Sequence, residues 1–389
     1  MVFRCFSRLK ERSTRTWVGL IVLSIPFFLA LLTGFWDGDY TLEELRARYS
    51  SGDVKNWPEA HLDERAREGF EDIGPLNKAP YPDDNPYSKE KAILGKLLFF
   101  DPRLSGSRQI SCASCHDPQL GFGDGKSLAH GHDRRVGKRN AMTLYNVGHY
   151  DTFMWDGRAA SLEDQVLLPL QDPVEMNANV DSMIAGVAEI AGYRPHFQAA
   201  FGNRDVTVDR VQKALATFIR GINSYPSRFD RFVSGNANAL NDQELLGMHL
   251  FRTKARCINC HNTPLFSDNK FHNDGQALYG TRQEDFGRYH ISGKQEDVGA
   301  FRTPSLRDVA LTGPWMHHGN FPTLRDVVEL YNLGNPAPIQ RRVVVDERTR
   351  PIPSPLLRKL HLSKEEVDAV IAFLHALSSP VQRRMEMPE

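Results

Sequence analysis

A chain of 389 residues of which 41% are apolar is long enough for two to three domains with ordinary buried cores, which sets general disorder aside. Lys and Arg total 48, as do Asp and Glu. With neither a basic excess nor a basic stripe, nothing points to a nucleic-acid partner, and a protein partner has to be met by a local patch.

Residues 1–16 carry Arg4, Arg8, Lys10, Arg12 and Arg15 against Glu11 alone, and residues 17–36 carry no charge. Twenty uncharged residues can cross a bilayer as a helix. A cleaved signal peptide shares the basic start, but its apolar core is usually shorter and ends at an Ala-x-Ala site. No such site stands near residues 30–38. The expectation is therefore a basic cytoplasmic tail followed by an uncleaved anchor, with a signal segment as the rival. Everything after Asp37 then faces the periplasm, tethered to the inner membrane.

Residues 37–87 read as a periplasmic linker with one short helix. Three capping boxes, Thr41 to Glu44, Asn241 to Glu244 and Ser363 to Glu366, each place a capping residue three positions before Glu and mark helix starts. Apolar stripes at Val208, Val211, Leu215, Phe218, Ile219 and Ile222, and at Val367, Val370, Ile371, Leu374 and Leu377, mark amphipathic helices. Between them run long stretches rich in Gly, Pro, Asn and Asp at residues 74–88, 117–140 and 262–300. Loops of that length need something other than side chains to organise them.

Cys112-Ala113-Ser114-Cys115-His116 and Cys257-Ile258-Asn259-Cys260-His261 supply that organiser. Two thiols three positions apart form thioethers to the vinyl groups of one haem, and the adjacent His lies under the iron. A four-cysteine zinc site explains neither the following His nor the wide gap between the pairs. Two covalently bound c-type haems are expected, and Cys5 is left as an unpaired thiol. The fold class expected is all-α with extensive loops: two cytochrome c-like haem domains, residues 88–235 and 236–389, behind the N-terminal anchor.

Residues 94–118 (LGKLLFFDPRLSGSRQISCASCHDP), Arg139-Asn140, Trp155-Asp156-Gly157-Arg158-Ala159, Pro173-Val174-Glu175-Met176 and residues 301–311 (FRTPSLRDVAL) resemble the bacterial di-haem cytochrome c peroxidases, the family that includes MauG. The resemblance covers about residues 85–380. It implies that the N-terminal haem binds hydrogen peroxide and that the C-terminal haem takes electrons from a donor such as a small cytochrome c. Glu175 matches the catalytic carboxylate over the peroxide site, Gln165 the amide beside it, and Trp155 the tryptophan between the haems. Asn140 matches a ligand of a calcium ion between the haem domains, with the carbonyls of Thr312 and Pro314 as others.

Two positions set the kind of member. His132, with His130 as a neighbouring substitute, matches the distal His that closes the peroxide haem of many relatives at rest. Tyr331 falls where many of the peroxidases carry a distal Met on the second haem and MauG a Tyr. A phenolate is hard and anionic and favours ferric iron, whereas Met supports ferrous iron. The functional expectation is a peroxidase reducing hydrogen peroxide to water. The alternative is a MauG-like oxidase acting on residues of a partner protein through high-valent iron shared between the haems. Against the alternative, Ala255 occupies the position of MauG's relay tryptophan. A plain electron carrier has no need of Glu175 and Gln165. The oligomeric state is left open, a homodimer being one option.

Overall fold

The structure, a computed structural model, describes residues 40–336 and 346–380. The basic tail at residues 1–16 and the anchor or signal segment at 17–36 lie outside the described residues. Among the described residues, no helix is long and apolar enough to cross a membrane.

Mostly helical structure with long loops runs from Leu42 onward. Besides one turn of helix at Tyr289–Ser292, the α-helices among the described residues are α1 (Leu42–Tyr49), α2 (Lys89–Phe100), α3 (Leu162–Gln171), α4 (Val180–Glu189), α5 (Tyr193–Phe201), α6 (Val208–Arg220), α7 (Arg228–Val233), α8 (Asp242–Arg252), α9 (Leu324–Asn332) and α10 (Lys364–Ala376). Most of their starts follow from capping residues. Asn241 accepts from the Glu244 amide at 2.9 Å, and the Glu244 carboxylate accepts from the Asn241 amide at 3.1 Å. Ser363 and Glu366 repeat the arrangement at the head of α10. Each such box satisfies two amides that a helix start otherwise leaves unpaired. One departure from an all-helical fold is a two-residue antiparallel pair, β1 (Phe271–His272) against β2 (Phe301–Arg302), which pins the middle of the 262–300 loop.

Leu-Gly-x-x-Leu-Phe occurs at residues 94–99 and again at 246–251, and Ala-x-x-x-Phe at Ala214/Phe218 and Ala369/Phe373. These patterns form two equivalent helix crossings, α2 on α6 and α8 on α10. At each crossing the glycine lets the backbones touch. A side chain on Gly95 would overlap the Ala214 carbonyl, and one on Gly247 the Ala369 carbonyl. A trio of phenylalanines stands at each crossing, joined in the second half by Phe229. In the first half Phe99 lies 5.2 Å from Phe218 and 6.5 Å from Phe122, centroid to centroid. In the second half Phe251 lies 5.4 Å from Phe373 and 5.9 Å from Phe266. Each fully buried ring contributes roughly 1.5–3 kcal/mol through burial, so these trios anchor the two halves.

Residues 42–74 are not a free linker but run along the second half. The Arg46 guanidinium donates to the carbonyls of Ala237 and Leu240 at 2.6 and 2.7 Å. Farther on, the Asp63 amide donates to the Asn259 side chain at 2.6 Å, and the Thr263 amide to the Glu71 carbonyl at 2.8 Å. Asn259 and Thr263 flank the second histidine of the Cys-x-x-Cys-His pair, so this strap grips the second motif directly.

Candidate functional site

Both motifs fold as the same tight turn. In the first, the His116 amide donates to the Cys112 carbonyl at 3.0 Å; in the second, His261 donates to Cys257 at 2.9 Å. Phe122 and Phe266 then adopt left-handed backbone conformations, φ 56° and 59°. Each turns its carbonyl onto the preceding histidine, with Nδ1 3.0 Å away in both cases. A histidine whose Nδ1–H is held by a carbonyl presents Nε2 as a fixed lone pair, the arrangement an iron ligand requires. The phenylalanines that do this belong to the aromatic trios, so the core itself orients the ligands.

Burial pushes the Cys112 and Cys257 thiols up to about 12. Neutral thiols in apolar surroundings are unlike the thiolates of a zinc site. They suit thioether attachment to a large apolar ring. A cleft lined mostly by apolar side chains, among them Leu324, Val327, Val328, Leu357 and Leu374, opens over Cys257, Cys260 and His261, and the donor set fits a covalent haem.

The two halves also share the segment that follows. Phe153-Met154-Trp155-Asp156-Gly157 and Trp315-Met316-His317-His318-Gly319 have matching backbones. Met154 and Met316 sit at φ 70° and 68°, Gly157 and Gly319 at 71° and 61°. Antiparallel bridges Phe153–Ala159 and Trp315–Phe321 close each turn. Ser161 then caps α3, and Thr323 caps α9. Counting from the two glycines, Gln165 corresponds to Val327 and Pro169 to Tyr331. Leu324, Val327, Val328 and Tyr331 line the second cleft. Residues four apart share a helix face, so Gln165 and Pro169 form the matching face of α3. Where the second half offers a phenol, the first offers a proline, which has no group to ligate iron.

Tyr331 thus stands in the same cleft as His261. Burial, then Asp274, raise its phenol well above the ordinary value, so the group is neutral unless a metal's charge ionises it. Glu175 lies at the first motif. Its carboxyl is raised by burial and then by Asp172, with Arg158 opposing, and it in turn helps raise the Cys115 thiol, which burial chiefly pushes up to about 11. His132 is held beside it, its amide donating to the Glu175 carbonyl at 2.7 Å. The His132 ring has Nε2 3.3 Å from Asp133, while Nδ1 is buried without a hydrogen-bond partner. His130, by contrast, is exposed. Gln165 directs its amide to the Met154 sulfur at 3.6 Å.

Trp155 lines the second cleft and donates from its indole to the Asn140 carbonyl at 3.0 Å. Its counterpart His317 faces it edge-on at 6.4 Å and stacks on Phe301 at 3.6 Å. Burial, then His318, push His317 down to about 3, so it is neutral. Asn140, Thr312 and Pro314, expected around calcium, all border this cleft. The Asn140 amide nitrogen donates to the Lys126 carbonyl at 2.8 Å. Ala255 also lines the cleft. His317, Arg302 and the strap around Asn259 were not singled out by sequence; the repeated Leu-Gly-x-x-Leu-Phe was the one signal that could have exposed the pairing of Trp155 with His317.

A family model of the di-haem cytochrome c peroxidases matches residues 89–238. Cytochrome-c peroxidase IdrP1 of Pseudomonas sp. (strain SCT) is 34% identical over 335 residues, covering 79% of this chain and 85% of that protein. The methylamine utilization protein MauG of Methylophilus methylotrophus is 36% identical over 302 residues, covering 77% and 85%. A crystal structure of a MauG-like protein associated with microbial copper homeostasis matches with a TM-score of 0.70 at 32% identity, over 79% of this chain and 94% of that one. With two equivalent Cys-x-x-Cys-His sites on one duplicated helical frame, the chain belongs to the di-haem cytochrome c peroxidase family and is an oxidoreductase of that type, a membership that brings two c-type haems.

Proposed function

We propose that this protein reduces hydrogen peroxide to water with electrons from a periplasmic donor such as a small cytochrome c. The observation that carries the reading is the inequality of two otherwise matching halves: Pro169 and Glu175 at the first motif, Tyr331 at the second. When bound, the haems supply an electrophilic iron for peroxide and a route for electrons. The residues supply the rest. Heterolysis of the O–O bond moves a proton from the inner to the outer oxygen. Glu175, whose half-buried carboxyl titrates above the ordinary range, takes the first proton and returns it to the leaving oxygen. Two further protons and two electrons complete the conversion of one peroxide to two waters. Gln165 shares the face of α3 that meets this site and orients the incoming oxygen. Trp155, packed between its own half and the second cleft, carries the electrons across.

Tyr331 favours a second reading, in which the same site oxidises residues of a partner protein, as in MauG-like relatives. The two are separated by supplying the purified two-haem protein with peroxide and a reduced small cytochrome c. The peroxidase reading expects two cytochromes oxidised per peroxide consumed. Peroxide consumption with no cytochrome oxidised, accompanied by modified residues on a partner, would replace it with the second.

A further inference from the structure

Arg302 is a buried charge without an acid. It is 2% exposed, and its Nη1 is buried with no hydrogen-bond partner. The similarly buried Arg220, Arg252 and Arg307 each pair with a carboxylate, of Glu163, Asp72 and Asp230. Arg302 has no such partner among the described residues. Its remaining contacts are weak ones: Nε to the Met154 carbonyl at 3.4 Å, Nη2 to the Met142 sulfur at 3.6 Å, and the Tyr150 ring under the guanidinium at 3.5 Å. Burial lowers its pKa, and Tyr150 is the one opposing influence.

An unpaired guanidinium in an apolar interior is strongly unfavourable and calls for an anion. Arg302 lines the cleft over Cys257, Cys260 and His261, where a haem brings two carboxylates. Its planar fork is the side chain best matched to a carboxylate. We propose that Arg302 pairs with a propionate of the second haem and, by offsetting that negative charge, raises the haem's reduction potential. This rests on the reading of residues 257–261 as a haem attachment site. Arg302 also joins that edge of the cleft to Trp155, since its amide donates to the Trp155 carbonyl at 2.9 Å. It is a positioning residue: its side chain holds the cofactor edge, and its backbone amide ties the same residue to the tryptophan beside it.

The test uses the holoprotein and the variants Arg302→Gln and Arg302→Lys. Haem content per chain is measured first, then the midpoint potential of each haem and the propionate-bending bands in resonance Raman spectra. In Arg302→Gln the second haem's potential falls and its propionate band shifts, while the first haem is unmoved. Arg302→Lys, which keeps the charge but not the fork, recovers part of the potential. Two haems per chain with unchanged potentials and bands in both variants would overturn the role of Arg302. Loss of stability with potentials and bands unmoved would also overturn it, leaving only a packing role. One haem per chain in the unaltered protein, attached at residues 112–116, would instead sink the reading of the second motif on which the inference stands.

Discussion

Glu175→Gln is expected to slow peroxide turnover about 100-fold or more, the usual cost of removing a general acid-base group. The substitution keeps size and hydrogen bonding but takes away the titrating proton. The Glu175 carbonyl, which carries the loop of His132, is untouched, so the fold and the haem spectra should persist. The pH profile gives a second reading of the same residue. Glu175 has its pKa raised, first by burial and then by Asp172, and it must be deprotonated to accept a proton from peroxide. Activity therefore falls as pH drops through that raised pKa, at a higher pH than an exposed glutamate would give. The limb disappears in Glu175→Gln. Unchanged turnover and an unchanged acid limb in the variant would remove Glu175 from the mechanism.

Tyr331→Met should raise the second haem's reduction potential by a substantial part of the roughly 0.8 V range that axial ligands command. A thioether stabilises ferrous iron, whereas a phenolate stabilises ferric iron. The residue is well placed for the exchange. It lies in the cleft of His261 on the face of α9 that also carries Val327, and methionine fits an apolar stripe without strain. The variant should become easier to reduce and should hold an electron at rest. A potential and spectrum identical to those of the unaltered protein would show that Tyr331 does not touch the iron.

Much of this arrangement is legible in the sequence because it is local chemistry. The Cys-x-x-Cys-His motifs name their cofactor, and the boxes at Asn241 and Ser363 open helices where the spacing says they should. The stripes beginning at Val208 and Val367 become the buried faces of α6 and α10. The duplication is harder to see. Phe99 and Cys112 are separated by more residues than Phe251 and Cys257, so the two halves have no fixed period. Apart from the repeated Leu-Gly-x-x-Leu-Phe, their kinship shows when Gly95 and Gly247, or Phe122 and Phe266, occupy equivalent places. The strap is hidden in the sequence for another reason. Its polar composition suits a linker, and its partners Asn259, Thr263 and Arg307 lie far along the chain. Arg302 is an ordinary arginine in sequence; only the absence of a nearby carboxylate among the described residues marks it.

The inequality of the two halves is tested most directly by adding one equivalent of hydrogen peroxide to the all-ferric protein with no reductant present, and following the optical spectrum in a stopped-flow instrument. If Tyr331 ligates the second iron, no electron needs to be stored there beforehand. The spectrum should therefore change at once, on both haems, and the same mixing with Glu175→Gln should be slower by the factor given above. An all-ferric protein that stays inert to peroxide until its second haem has been reduced would contradict this division of labour.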